Sequence, residues 1–217
     1  MFSVIFPGQG SQVVGMAREL HSKFDLVKKY FKYADEVLSF PISKIILEGP
    51  KEELNLTENT QPAIFLVGYS IFYLTKNEFG YDLNKAKFFA GHSVGEYTAL
   101  ASAGVIKFED TIKLLKLRGN AMQLAMPKGE GGMVAVLGSD LLKIENLISE
   151  KKYECFIAND NSNSQLVISG RLDELNKFIN DLKNLSIKNI TLPVSGPFHC
   201  ELMKKATAIM ESEINKL

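Results

Sequence analysis

FFAGHSVGEYTAL, running from Phe88 to Leu100, is the stretch on which the fold turns. An apolar run stops at Gly91, a serine stands between two glycines, and a small-residue helical pattern follows from Val94 to Ser102. With Lys87 to Ala90 read as a short strand, Ser93 falls at a sharp strand-to-helix turn. GHSVG fits the G-x-S-x-G elbow, in which two glycines let the chain turn tightly enough to lift a serine hydroxyl above a sheet edge. A helix N-terminus behind the serine brings unpaired N–H groups and a positive dipole end to a developing oxyanion. Read by itself, the pentapeptide also fits a glycine-rich turn capped by serine.

Outward from the elbow, the pattern is α/β. FSVIF is a buried first strand ending in the turn PGQGSQ, Pro7 to Gln12. Helices are expected over Phe24 to Leu38, over Pro62 to Phe79 with Thr60 as cap and Pro62 in the first turn, and over Phe108 to Ala125. Beyond PKGEGG the order becomes strand (MVAVLG), helix (Asp140 to Ser149), strand (YECFIA), strand (QLVISG), helix (Leu172 to Leu185) and strand (IKNITL). That βαββαβ order is the split pattern of a ferredoxin-like unit. The sequence thus predicts a core of residues 1–130 plus 193–217, interrupted by a subdomain over 131–192. PVSGPFHC then leads into a last amphipathic helix, Glu201 to Lys216.

The 217 residues carry 25 basic and 25 acidic side chains, so net charge gives no reason to expect nucleic acid or an anionic membrane as partner. Cys155 and Cys200 suggest neither a disulfide framework nor a metal site, and both are expected as reduced thiols. MFSVIFPGQG lacks the basic region of a signal peptide, and Ala63 to Leu74 is too short to span a bilayer. A soluble, cytoplasmic protein is the expectation.

A serine alcohol needs a base, and there are three histidines. His92 adjoins Ser93 and points elsewhere in an elbow, towards supporting contacts. His21 reads as solvated in a polar linking region. His199 follows a proline-containing loop and precedes a helix, a place from which an imidazole can face a cleft, and it is the favoured base. Arg118 lies in an otherwise apolar-faced helix, where it either snorkels to a surface carboxylate or clamps a ligand carboxylate with two bonds. PGQGSQ is either a tight turn or a nest of N–H groups for an anion; it lacks the lysine of a phosphate loop.

PGQGSQ, GHSVGEYTAL, RGNAMQ and PVSGPFHC occur in this order, and together they resemble the malonyl-CoA:acyl carrier protein transacylases, the acyltransferase family of fatty acid synthesis. The resemblance runs over residues 1–217 and implies an α/β-hydrolase-like parallel-sheet core. It implies that Ser93 takes a malonyl group from coenzyme A, that His199 accepts its proton and later activates the thiol of acyl carrier protein, and that the backbone N–H groups of Gln9 and Val94 form the oxyanion hole. Arg118 would hold the malonyl carboxylate; His92, Phe198, Asn159 and Asn161 would line or support the pocket. No metal or other cofactor is implied. Val94 and Phe198 go with malonyl over methylmalonyl units in related acyltransferases. Family members run to on the order of 300 residues, whereas this chain stops one helix after His199. A C-terminally incomplete chain with an exposed sheet edge is therefore expected. A non-catalytic acyl- or CoA-binding fragment, and a serine esterase using one of Asp110, Asp140, Asp160, Asp173 or Asp181, are the alternatives.

Overall fold

In a computed structural model that describes residues 1–127 and 129–217, the chain is α/β and divides into two compact units. The first comprises residues 1–120 and 212–217, the second 121–211.

In the first unit, β1 (Ser3–Phe6) and β2 (Phe88–Gly91) pair in parallel, with Val4 opposite Phe89 and Phe6 opposite Gly91. Six helices belong wholly to this unit: α1 (Arg18–Lys23), α2 (Asp25–Leu38), α3 (Ile42–Glu48), α4 (Lys51–Leu54), α5 (Thr57–Glu78) and α6 (Val94–Ser102). A seventh, α7 (Phe108–Ala125), begins in it. The longest, α5, is buried nearly all round from Thr57 to Leu66, as a helix at the centre of a bundle must be. Phe31, Ile42, Ile46, Phe65, Leu66, Ile112 and Leu115 close the core around it. Tyr30, Phe65, Tyr69, Tyr73 and Phe108 interlock at ring-centroid distances of 4.6 to 5.8 Å, within the favourable range for tilted and edge-on pairs.

The start of α5 corrects the sequence reading. The helix begins at Thr57 and not at Pro62, and Thr60 does not cap it. Instead the Thr60 hydroxyl donates to the carbonyls of Leu54 and Leu56 at 2.6 and 3.1 Å, and the Asn59 amide donates to Glu53 at 2.9 Å. These bonds fasten the first turn to α4, so Pro62 costs the helix one ladder bond, to the Glu58 carbonyl, without ending it. The short helices α1, α3 and α4 were not anticipated either. His21 rides on α1, half-buried, with its ring 5.1 Å from that of Phe31, and is not the solvated linker histidine expected.

In the second unit, β3 (Gly131–Leu137), β4 (Cys155–Ser162), β5 (Gln165–Arg171) and β6 (Lys188–Thr191) form one antiparallel sheet in the order β4-β5-β3-β6. Two helices, α8 (Leu141–Lys151) and α9 (Leu172–Asn184), complete the βαββαβ order. Asp140 caps α8 by accepting from the Lys143 N–H at 2.8 Å. Val134 and Val136 pack with Ile144, Leu175 and Phe178. The alternate residue Met133 packs with Val167, Phe198 and Met203. Both faces of β3 are thus covered, which is why GGMVAVL is apolar throughout instead of alternating. A 3₁₀ turn, Glu201–Met203, leads into α10 (Lys204–Ile214).

Candidate active site

The elbow is built by close backbone approach. Ser93 connects β2 to α6 with φ 52° and ψ −113°, a conformation that side chains with a Cβ rarely accept. The His92 N–H donates to the Phe6 carbonyl at 3.1 Å, tying the elbow to the end of β1. The turn is closed by the Gly95 N–H on the His92 carbonyl (2.9 Å) and the Glu96 N–H on the Ser93 carbonyl (3.0 Å). A Cβ on Gly91 would sit 1.9 Å from the Gly95 carbonyl carbon, and one on Gly95 would sit 2.5 Å from the Phe6 oxygen. Both glycines of GHSVG are therefore required by space, and Ser93 alone bears the strain. Val94, the first helical residue, is buried, while Ser93 is half-buried and His92 exposed.

PGQGSQ lies against this elbow. A Cβ on Gly8 would meet the His92 carbonyl at 2.6 Å and its Nδ1 at 2.7 Å, so the loop passes directly over His92. Gln9 reaches back to α5, its Nε2 donating to Thr57 Oγ1 at 3.5 Å, and the Gly10 N–H is taken by Gln12 Oε1 at 2.8 Å. Gln9, His92, Ser93 and Val94 are thus brought together at one end of the parallel pair.

The hydrogen-bond partners of Arg118 are the neutral side chains of Gln61 and Tyr97. Its Nη1 donates to Gln61 Oε1 at 2.6 Å, and its guanidinium carbon lies 5.6 Å from the centre of the Tyr97 ring. No carboxylate among the described residues forms an ion pair with it. Burial pulls its pKa below the ordinary arginine value, while Tyr97 and Glu96 push it back up. Burial in turn raises the Tyr97 hydroxyl, against the pull of Arg118. Sequence reasoning left Arg118 between two uses and missed Gln61 altogether. What brings the two together is Gly119, whose added Cβ would stand 2.4 Å from Glu58 Cα, so that α7 rests backbone to backbone on the first turn of α5. Lys116, one turn away, donates to the buried Asn59 at 2.8 Å.

The remaining candidates belong to the second unit. Phe198 is buried in the core beneath the sheet, and its carbonyl accepts from the fully buried Ser169 hydroxyl at 2.5 Å. That bond fixes the chain immediately before His199, which takes a left-handed φ of 59° and is exposed. His199 lines a pocket of about 430 Å³ with Cys155, Phe156, Ile157, Cys200 and residues of α8. Asn159, half-buried on β4, stands opposite Val167, which packs with Phe198; Asn161 is exposed further along the strand. Among the described residues no group of three His, Cys, Asp or Glu side chains could hold a metal ion, and no helix is long and apolar enough to cross a membrane.

A family model described as an acyl transferase domain matches residues 3–217, nearly the whole chain. The chain belongs to the acyl transferase domain family. Among acyl transferase relatives, the malonyl CoA-acyl carrier protein transacylase of Haemophilus influenzae is 40% identical over 208 residues, covering 94% of this chain and 66% of that protein. The structure of the malonyl CoA-acyl carrier protein transacylase from Coxiella burnetii superposes with a TM-score of 0.94 at 37% identity, covering 100% of this chain and 68% of that one. A type II PKS acyl-carrier protein in complex with its malonyl-transacylase gives a TM-score of 0.92 at 35% identity, covering 100% of this chain and 70% of the matched one. The chain therefore spans about two thirds of the length of the acyl transferases it matches.

Proposed function

We propose that this chain carries the machinery of a malonyl-CoA:acyl carrier protein acyltransferase, working through a Ser93 acyl-enzyme. The observation that carries the reading is the strained serine at the head of α6, with both flanking glycines forced by backbone contact. Ser93 Oγ attacks the thioester carbonyl, His199 takes its proton, and the coenzyme A thiolate leaves with that proton. The thiol of acyl carrier protein then attacks the serine ester, with His199 again accepting the proton and returning it to Ser93. The N–H groups of Gln9 and Val94 stabilise the oxyanion in both steps; one such donor is worth about 3 kcal/mol in a transition state. Arg118 grips the malonyl carboxylate, a role supported by its bond to a neutral amide in place of an ion-paired carboxylate, and so keeps the acyl group where water attacks poorly. His92, Phe198, Asn159 and Asn161 line or support the acyl pocket, and the exchange requires no metal or redox group.

The same reading takes the fold as an α/β-hydrolase-like core, residues 1–130 plus 193–217, with a ferredoxin-like subdomain over 131–192. The parallel β1–β2 pair and the strand order β4-β5-β3-β6 support it. A cytoplasmic location goes with malonyl-CoA and acyl carrier protein as partners.

The test is to mix the purified chain with malonyl-CoA, quench in acid and weigh the intact protein. A covalent malonyl adduct that disappears in Ser93→Ala is the expected result. A folded chain that forms no adduct, or forms it equally in Ser93→Ala, refutes the reading.

A further inference from the structure

A guanidinium that must meet a carboxylate with two parallel bonds has to be fixed in rotation as well as in place, and a free arginine side chain is neither. Two neighbours fix this one. Gln61 is completely buried, a polar residue in a helix buried nearly all round at this end. Its Oε1 accepts from Arg118 Nη1 at 2.6 Å, a short bond between a charged donor and a neutral acceptor. Tyr97 flanks the same guanidinium from α6. A carboxylate at position 61 would hold the arginine more strongly, but it would also neutralise it and compete with any incoming anion. An amide carbonyl orients the fork while leaving its charge for the ligand.

We infer that Gln61 is the positioning residue that aims Arg118 at the acyl carboxylate, and that its neutrality is what makes the site selective for carboxylated over uncharged acyl groups. The inference rests on the proposed role of Arg118. It assigns to Gln61 a selectivity function that burial and helix packing alone would not require. Gln61 and Tyr97, both neutral, each engage part of the guanidinium, and of its five N–H donors enough remain for a two-pronged grip.

Two variants and two acyl donors test it, with malonyl-CoA and acetyl-CoA loading of Ser93 followed by intact mass over time. Gln61→Glu is nearly isosteric and keeps the acceptor, but adds a charge that pairs with Arg118. Malonyl loading is expected to fall about 10- to 100-fold, chiefly through KM, with acetyl loading unchanged, because a charged partner's hydrogen bond is lost to the substrate. Gln61→Leu removes the acceptor and is expected to lower the malonyl-to-acetyl ratio about 10-fold or more. Should either variant lose malonyl and acetyl loading in equal proportion, or should Gln61→Glu load malonyl as the parent does, Gln61 is structural and the inference is overturned. If Gln61→Leu does not fold, as circular dichroism would show, Gln61→Glu decides alone. Arg118→Ala separates the two levels. Unchanged malonyl selectivity in that variant refutes the role of Arg118 itself, whereas lost selectivity there with none lost in Gln61→Glu refutes only the role of Gln61.

Discussion

Gly119→Ala sets two effects of known size against each other. In a helix interior, alanine is favoured over glycine by about 1 kcal/mol, so propensity alone predicts a more stable protein. The added Cβ, however, would lie 2.4 Å from Glu58 Cα, 2.7 Å from the Thr57 carbonyl oxygen and 2.8 Å from the Glu58 nitrogen. All three are backbone atoms of α5 and cannot rotate away. Ordinary contact needs about 3.5 to 4 Å, so α7 must retreat by roughly 1 Å. Overpacking of this kind costs about 1–3 kcal/mol, enough to cancel the propensity gain and reverse it. For a chain of this length each net kcal/mol lowers the melting temperature by about 2–4 °C. The same retreat stretches the 2.6 Å bond between Arg118 and Gln61 beyond hydrogen-bonding range. A 1 Å displacement of a substrate-holding group can cost about 100-fold in rate. The assays are a thermal melt and the initial rate of malonyl loading on Ser93. A variant as stable as the parent and loading malonyl at the parental rate would show that α5 gives way freely, and the close approach at Gly119 would not be what places Arg118.

Ser169→Ala leaves the buried Phe198 carbonyl without its 2.5 Å donor, at a cost of about 1–3 kcal/mol. It is expected to lower the urea midpoint and slow loading through the His199 loop; unchanged loading would show that the loop is held by other contacts. Burial pushes the Cys155 thiol up from 9.0 to about 12, and burial with the bond to Asp181 pushes Tyr153 from 10.0 to about 12. Both folded values lie above the unfolded ones, so their contribution to stability is full below about pH 9 and is lost as the pH rises towards 12. A urea midpoint that falls across that window, less steeply in Cys155→Ala, is the expected outcome. By the same shift, a thiol alkylating reagent at neutral pH should modify Cys155 only after unfolding.

What could be read from the residues depended on whether local and tertiary preferences agreed. Val94–Ser102 and Phe108–Ala125 are helices with the bounds their patterns predict, because a glycine-serine turn and a phenylalanine-led periodic run mark the same ends as the packing does. At α5 the two disagreed. Pro62 and Thr60 carry the local signature of a helix start, but the bonds from Asn59 and Thr60 to Glu53 and Leu54 reach outside the helix and pull its start back to Thr57. The helices α3 and α4 span seven and four residues, too few turns for a period to register, and are held by burial of Ile42, Ile46 and Leu54. At the candidate site, the elbow around Ser93 was legible because its two glycines are demanded by backbone contact and stand out in the sequence. Gln61 was not, since a glutamine in a helix ordinarily reads as solvated; its partner lies 57 residues away and only the packing at Gly119 brings it near.

The backbone at Ser93 also says something about how selection acts on this chain. At φ 52° and ψ −113° the residue sits where glycine would rest at ease and where any side chain is held against its preference, at about 1–3 kcal/mol. Stability and chemistry therefore pull in opposite directions at this one position. A lineage released from the need to transfer acyl groups would gain robustness by replacing the serine with glycine, while a working lineage must keep enough surplus stability elsewhere to tolerate it. If Ser93 is the nucleophile proposed above, its loss is the direction in which mutation runs downhill, and a serine kept there is a mark of continued use.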